Sequence, residues 1–349
     1  MHLPCGTFSE TYAQDMTIMK TKLQWFLLLT AVIFFLTFPL FSSSYVLTVT
    51  ITIGITIIAV LGLNLLTGYC GQISVAHSAF MGVGAYTSAV LVGSYGFPFW
   101  VALPCAAICA GLAGLVFGSP SLRLKGFYLV MATLAAQAII PYIIARWSGV
   151  TGGVYGLRVP SPSIGGMVFD TYKSYYYIVF IALLAATFFA RNLARSRIGR
   201  AFVAIRDNDL AAGVMGISPF RHKMLAFFIG CAYAGLAGSL WAHWVNFICI
   251  ENFTLMLSIW YLGYIVVGGL GTTVGPFFGV VFIILLIQGL SLTMTNLGGA
   301  YPEAIGLIAP LKEVIFGLVV ILFLIFEPRG LAHRWNIVKR YYRLWPFSY

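Results

Sequence analysis

The chain contains 349 residues, of which 60% are hydrophobic and only 8% are charged. So few charged side chains cannot cover the surface of a water-soluble domain of this size, so lipid must be the solvent for most of the protein. The net charge of +11 could indicate a nucleic-acid partner, but the basic residues lie near the ends of apolar segments instead of forming one patch, which favours membrane anchoring over nucleic-acid binding.

Ten apolar segments follow one another along the chain, and each has the length of a membrane-spanning helix. Crossing a hydrocarbon core of about 30 Å takes roughly 20 helical residues, and a helix satisfies its own backbone hydrogen bonds within lipid. The first segment follows Lys20 and Lys22 and is too long for the core of a signal peptide, so we expect a retained helix. The predicted fold class is therefore an all-α polytopic membrane protein. The predicted spans are 24–41, 45–66, 73–93, 99–117, 126–147, 174–190, 223–245, 254–271, 276–296 and 311–326.

The distribution of Lys and Arg predicts the orientation of these helices. If residues 1–23 lie in the cytoplasm, all but four of the 20 Lys and Arg fall on the cytoplasmic side, as the positive-inside rule requires. An even number of crossings then returns the tail, 327–349, to the same side. We therefore predict a single transmembrane domain over 24–326, with both ends of the chain in the cytoplasm. The four basic residues on the external side are Arg146, Arg158, Lys173 and Lys312.

A dense group of polar residues and glycines interrupts the apolar pattern between Asn64 and Tyr86. Such residues are tolerated at membrane depth only where protein or a water-filled cavity satisfies the freed backbone groups, so we predict a broken or re-entrant element beside a translocation pathway. The alternative is ordinary helix packing with buried hydrogen bonds. His77 has no second ligand at metal-binding spacing, so no metal site is expected. The candidate pathway residues in this segment are Asn64, Gln72, Ser74 and His77.

Two of the connections between helices are long. The first, 148–173, is placed outside and is rich in Gly, Pro and Ser, so we expect irregular backbone there. The second, 191–222, is placed in the cytoplasm. It contains a helix-compatible stretch over 200–217, which Gly216 and the following Pro219 are expected to end.

This cytoplasmic stretch mixes apolar and charged side chains. An amphipathic helix in the lipid headgroup layer would account for the apolar residues. Two acidic residues beside an arginine fit a pocket on another protein better than they fit anionic lipid, and both interpretations stay open at this point. The polar residues of the stretch are Arg206, Asp207, Asn208 and Asp209.

A second glycine cluster, beginning at Gly268, has the same spacing as the first. Gly68 and Gly71 are matched by Gly268 and Gly271, 200 residues later, and each pair ends a helix that runs towards the cytoplasm. We hypothesise a diverged helical-hairpin repeat that flanks one pathway, which adds Gly268 and Gly271 to the pathway candidates.

The remaining chemistry-bearing residues favour neither an enzyme nor an ion-coupled transporter. The six cysteines mostly lie inside apolar runs and imply neither a disulfide framework nor a zinc site. The nine Asp and Glu fall in loops or at helix ends, whereas a proton- or sodium-driven transporter usually buries an ionisable group in mid-membrane. No catalytic constellation and no cofactor are predicted. The polar residues in other helices that we expect to make interhelical hydrogen bonds are Gln137, His243 and Gln288.

Several passages of the chain resemble the permease subunits of branched-chain amino acid ABC importers, the LivM type, a group with close relatives for urea and other amides. Four passages lie in the right order at helix junctions, and with the C-terminal EPRGL (327–331) they span nearly the whole chain after the first helix. The four are TGYCGQISVAHSAFMGVGAY (67–86), TGGVYGL (151–157), SRIGRAFVAIRDNDLAAGVMGI (196–217) and GGLGTTVGPFFG (268–279).

The resemblance implies that the chain has no ATP site and that a cytoplasmic coupling helix inserts into a groove on a partner ATPase. Residues 200–217 match the family's coupling region. Ala211, Ala212 and Gly216 fit the A-A-x-x-x-G part of the wider ABC permease loop and would permit close backbone approach, but Leu210 stands where the wider pattern has Glu, and the later Ile-x-Leu-Pro portion is missing. The polar contacts expected with the ATPase are Arg206, Asp207 and Asp209, with Asn208 in the same segment.

The resemblance also implies partners and a location. A permease of this type works in the bacterial plasma membrane with two ATPase subunits, a second permease that is normally of the LivH type, and an external solute-binding protein. The binding protein does most of the selecting, so the sequence does not identify the solute. Leucine, isoleucine and valine are the family default, and urea, short amides and other small amino acids are alternatives.

Overall fold

The computed structural model describes residues 22–121, 127–164, 167–298 and 308–344. Lys20, Arg123, Lys125 and nearly all of the predicted N-terminal segment 1–23 lie outside these ranges. Within them the chain is helical, apart from its loops and two pairs of two-residue strands.

Long helices account for most of the described chain, and we number the helices in chain order. A π-helical turn, Asn64–Tyr69, continues α2, and two short helices are α6 (Ser148–Thr151) and α9 (Asp209–Val214). The longer helices are α1 (Lys22–Phe41), α2 (Ser44–Leu63), α3 (His77–Gly93), α4 (Phe99–Ser121), α5 (Phe127–Arg146), α7 (Tyr172–Arg195), α8 (Arg197–Asp207), α10 (Pro219–Val245), α11 (Leu255–Gly268), α12 (Gly275–Gly298), α13 (Ile308–Phe326) and α14 (Leu331–Leu344).

The protein is an all-α polytopic membrane protein. Each predicted span overlaps one of the longer helices. By length and apolarity, 7 helices in the described ranges could cross a membrane, or up to 8 if the pair Pro310–Phe326 and Gly330–Tyr341, bent by 47°, forms one span. The count of ten crossings and the cytoplasmic location of both ends therefore stay predictions.

Helix α10 lies at the centre of the domain and packs against α2, α3 and α4. Small residues make this close packing possible, as is common where helices meet in lipid. A Cβ on Gly84 of α3 would collide with the backbone of Gly235 in α10, and a Cβ on Gly62 of α2 would lie 2.7 Å from the carbonyl oxygen of Gly230. The helix backbones themselves are therefore in contact, without side chains between them.

The predicted break after α2 is present in the structure. Residues 70–76 are not helical, and α3 begins only at His77 rather than at residue 73. The His77 Nε2 atom lies 2.8 Å from the carbonyl oxygen of Ala59, which is ten residues, or about 15 Å of helix, before the end of the π-helical turn. The irregular segment 70–76 therefore runs back alongside α2, and α3 begins at the level of Ala59 in α2.

The described part of the connection 148–173 is irregular, as expected, but short strands hold it against the domain. Strand β1 (Leu157–Arg158) pairs antiparallel with β4 (Phe247–Ile248), which follows α10, while β2 (Ser163–Ile164) pairs with β3 (Met167–Val168). The connection is thus fixed against the end of the central helix.

Candidate coupling and pathway site

The segment 191–222 contains two helices, α8 and α9, where a single helix over 200–217 was predicted. Asn208 has extended backbone angles, φ −159° and ψ 107°, which end α8 and precede α9. Its Oδ1 atom accepts hydrogen bonds from the backbone N–H groups of Leu210 and Ala211, both at 3.1 Å. Asn208 is therefore the N-cap of α9. Helix α9 ends at Val214 with Met215 as its C-cap, and Gly216 follows with a φ of +83°, which agrees with the predicted helix end at this glycine.

Helix α8 lies against the membrane domain through its apolar face. Phe202 and Ile205 are fully buried, and α8 contacts both the π-helical turn and α10. Since these side chains belong to the core of the chain itself, α8 is fixed to the helices of the membrane domain.

Helix α9 instead exposes its large apolar side chains. Leu210 and Val214 are 73% and 88% exposed, and Met215, which directly follows the helix, is 81% exposed, whereas the small Ala212 is buried. Leu210 and Val214 are four residues apart and therefore share one face of a helix. Sequence reasoning did not single out this apolar surface, although the replacement of the expected Glu by Leu210 was a signal of it.

The small residues of the coupling motif have different surroundings. Ala211 is exposed and Ala212 is buried, while a Cβ on Gly216 would meet nothing within 4 Å. The need for glycine at position 216 comes from its positive φ and not from a close contact within the chain.

The charged residues of the segment pair within the chain. Asp207 lies 3.1 Å from the Arg206 guanidinium, and the Asp209 carboxylate lies 3.4 Å from Lys223 Nζ at the start of α10. The Arg206 Nη1 atom also donates a hydrogen bond of 2.9 Å to the carbonyl oxygen of Gly68. These residues were predicted to contact an ATPase, and the structure adds that each already has a partner in its own chain.

The two glycine clusters lie against each other. The Asn64 side chain joins them, because its Nδ2 atom donates to the carbonyl oxygen of Thr272 at 2.8 Å and its Oδ1 atom accepts from the Gly271 N–H at 3.0 Å. A Cβ on Gly68 would lie 2.5 Å from the Gly271 nitrogen. Contact between the two turns fits the hairpin-repeat hypothesis, whereas Gly268 packs against the start of α12 at Gly275.

The irregular segment holds two buried polar atoms without a hydrogen-bond partner in the described ranges. These are Gln72 Oε1 and Ser74 Oγ, in side chains that are 7% and 1% exposed. The backbone of the segment is better satisfied, since Thr67 Oγ1 donates to the Gln72 carbonyl and Thr133 Oγ1 accepts from the Val75 N–H. Buried polar groups without a partner are rare because burial removes their hydrogen bonds to water and no protein group replaces them.

His77 has a structural partner. Since a carbonyl oxygen can only accept, the Nε2 atom facing Ala59 carries the proton, and the ring meets Tyr261 edge-on at 5.8 Å. This contact agrees with the alternative interpretation, a buried interhelical hydrogen bond.

Comparison with known proteins agrees with this architecture. Residues 45–324 match the family described as "Branched-chain amino acid transport system / permease component". The chain belongs to this family. It is a family of transport permeases and not an enzyme class.

Within the family the chain is similar to permeases of the LivM type. It is 32% identical to the high-affinity branched-chain amino acid transport system permease protein LivM of Escherichia coli, over 79% of the chain and 67% of that protein. It is 25% identical to LivH of Escherichia coli, over 80% of the chain and 91% of LivH. A shorter similarity, 29% over 44% of the chain and 45% of the relative, is to the autoinducer 2 import system permease protein LsrC of Klebsiella pneumoniae. No solved structure matches the chain significantly.

The start of α3 in this permease is held by a buried polar cluster. Helix α3 has no side-chain N-cap, so its first N–H groups bond to side chains of other helices. The Ser78 N–H donates to Ser258 Oγ at 2.9 Å, and the Ala79 N–H donates to Gln137 Oε1 at 3.2 Å. The Gln137 amide nitrogen donates to the Phe253 carbonyl at 2.9 Å. This cluster therefore joins α3, α5 and α11.

The interhelical hydrogen bonds predicted for the polar residues of other helices are confirmed. The His243 Nε2 atom lies 2.9 Å from Ser88 Oγ, and its Nδ1 atom lies 2.8 Å from the Pro160 carbonyl oxygen. Gln288 donates to the Tyr45 hydroxyl at 2.5 Å.

Removing the amide of Gln137 is expected to destabilise the permease. In Gln137→Leu the buried Ala79 N–H loses its partner and the Phe253 carbonyl keeps only the longer bond from Ser78 Oγ, which we expect to lower the free energy of unfolding by about 3 kcal/mol. Thermal unfolding of the detergent-solubilised protein measures the effect. Gln288→Leu, at a more accessible site, is the matched control, and an equal loss of stability in both variants would contradict the assignment.

Proposed function

We propose that the chain is the transmembrane subunit of an ABC importer of the bacterial plasma membrane, driven by partner ATPases through its cytoplasmic segment 191–222. One observation carries this proposal: α8 is anchored in the membrane domain, while Leu210 and Val214 of the adjoining α9, and Met215 directly after it, are exposed. Transmission of force requires a surface that binds the partner and a helix, here α8, that is fixed to the membrane domain.

The chemistry of α9 favours a protein groove over a lipid surface. A helix that lies on anionic lipid carries basic residues around its apolar face, whereas α9 begins with an acidic residue, Asp209, and contains no Lys or Arg. An exposed apolar helix of this kind suits an apolar groove on a partner. We therefore assign Leu210, Val214 and Met215 to the ATPase contact, with Asp207 at its edge.

We place the translocation pathway at the broken helices. Its candidates remain Asn64, Gln72, Ser74 and His77, together with Gly268 and Gly271. The unpartnered Gln72 Oε1 and Ser74 Oγ atoms support this placement, because a polar solute or water in the pathway would supply the hydrogen bonds that they lack. His77 would shape the pathway wall through its bond to Ala59 without itself contacting the solute.

The names of the relatives guide the proposals for solute and partners. LivM and LivH of Escherichia coli are named for branched-chain amino acids, so we propose these as the solute, with urea or a short amide as the alternative. The similarity to LivH over most of the chain supports a heterodimer of two permeases that share a fold. A solute-binding protein would dock on the external side, where the connection 148–173 lies.

Reconstitution tests this function. Proteoliposomes that contain the permease, a LivH-type partner and two ATPases are expected to accumulate leucine against a gradient only when ATP and the binding protein are present. Proteoliposomes with the permease alone should not concentrate any solute. Accumulation by the permease alone, driven by a proton or sodium gradient, would refute the proposal in favour of an ion-coupled transporter.

A further inference from the structure

Three glycines form a slot for one arginine at the cytoplasmic end of the domain. A Cβ on Gly71 would lie 2.8 Å from Arg206 Cγ, and a Cβ on Gly271 would lie 2.9 Å from Arg206 Nη1. The third glycine, Gly68, supplies the carbonyl oxygen that accepts the hydrogen bond from Nη1. The side chain of Arg206 therefore lies over one glycine turn, and its guanidinium reaches the place where the two turns meet.

The electrostatics of this place suit a cation. The π-helical turn and α11 both end here, and a helix end carries carbonyl groups without intrahelical partners and a partial negative charge. The Leu66 carbonyl accepts from the Gln72 N–H, whereas the Gly68 carbonyl has Arg206 as its donor. Arg206 thus supplies a cationic donor to a carbonyl group at the end of the broken helix.

Asn64 joins the second turn to the same cluster. Its amide uses both its donor and its acceptor on consecutive residues, Thr272 and Gly271. We call Asn64, Arg206 and the backbone of Gly68, Gly271 and Thr272 the cytoplasmic latch. Through this latch α8, the end of α2 and the connection between α11 and α12 share one set of hydrogen bonds.

We infer that Arg206 and Asn64 are positioning residues that transmit movement of the coupling segment to the two glycine turns, and that Arg206 is not an ATPase contact; this inference rests on the proposed function. Any displacement of α8 must either carry the two turns with it or break the bond between Arg206 and Gly68. The turns flank the segment 70–76, so their movement would open or close the cytoplasmic end of the pathway.

The test uses two substitutions at Arg206 in the complete complex with its ATPases. Arg206→Met keeps the aliphatic stem over Gly71 but removes the donor to Gly68, and Arg206→Lys keeps a cationic donor. Arg200→Met changes an exposed arginine of the same helix and is the matched control. The measurements are co-purification with the ATPases, ATP hydrolysis, and solute uptake per ATP hydrolysed.

We expect Arg206→Met to retain the ATPases and their hydrolysis while uptake per ATP falls about tenfold, as the loss of one charge-assisted hydrogen bond predicts. Arg206→Lys should restore most of the coupling, and Arg200→Met should match the unmodified protein. Unchanged uptake per ATP in Arg206→Met would overturn the inference. Loss of ATPase co-purification in that variant would overturn it too, because Arg206 would then be a docking contact.

Hydrogen exchange tests the cytoplasmic latch independently of the proposed function. In the permease without ATPases, the amides of 68–72 and 269–273 should exchange faster in Arg206→Met than in the unmodified protein or Arg200→Met. Unaltered exchange would refute the latch even if coupling to an ATPase were established. If the unmodified permease bound no ATPase, the proposed function would fail, and the exchange result would still decide whether the latch exists.

Discussion

Replacing Leu210, Val214 and Met215 together by serine is expected to abolish assembly with the ATPases while leaving the permease folded. Each side chain is more than 70% exposed in the isolated chain, so its removal leaves no cavity. If a groove on the ATPase buries all three, their loss should weaken binding by roughly 5 kcal/mol, or more than a thousandfold in the dissociation constant. Co-purification of the tagged permease with its ATPases measures the effect.

The control for this variant uses apolar residues of similar exposure in the connection 148–173. Val154 and Tyr155 are 74% and 94% exposed in the external connection, and replacing both by serine should leave ATPase binding unchanged. Reversing charge with Asp207→Lys and Asp209→Lys tests the polar contacts predicted from the sequence. Normal binding by the triple serine variant, together with loss of binding by the charge reversals, would reject the apolar surface.

The break in the second span could be predicted from sequence because its cause is local. Polar and glycine residues crowd the interval from Asn64 to Tyr86, and a continuous lipid-facing helix does not tolerate them at that density. The exact start of α3 was not predictable in this way. It depends on the Ser258 and Gln137 side chains, which satisfy the first N–H groups of α3 from elements far away in sequence.

In the segment 191–222, the burial of individual side chains and the tertiary contacts could not be predicted from sequence. The division at Asn208 had a local signal, because asparagine is a preferred N-cap, and the single-helix prediction overlooked it. Ile205 is buried and Leu210 is exposed. No local sequence signal distinguishes them, since both are large aliphatic residues. The contact between Arg206 and Gly68 joins positions 138 residues apart and depends on tertiary packing alone.

The central packing of α10 predicts a large effect for a single methyl group. In Gly238→Ala the new Cβ would overlap the carbonyl oxygen of Met81 in α3 and would lie 3.1 Å from the Ala85 nitrogen. Both are backbone atoms of a packed helix, so no side-chain rotation relieves the collision and α3 must move away from α10. We expect a loss of about 3 kcal/mol in the free energy of unfolding and a reduced yield of folded protein.

The same substitution at an open position should have the opposite sign. Gly289 lies within α12, where an added Cβ meets nothing within 4 Å. There Gly289→Ala gains helix propensity, up to about 1 kcal/mol, without a collision. Thermal unfolding of the two variants in detergent compares them directly, and a destabilisation of the same size at both positions would mean that backbone contact between α3 and α10 does not hold the domain together. Destabilisation confined to Gly238→Ala would show that close backbone contact between α3 and α10 stabilises the domain.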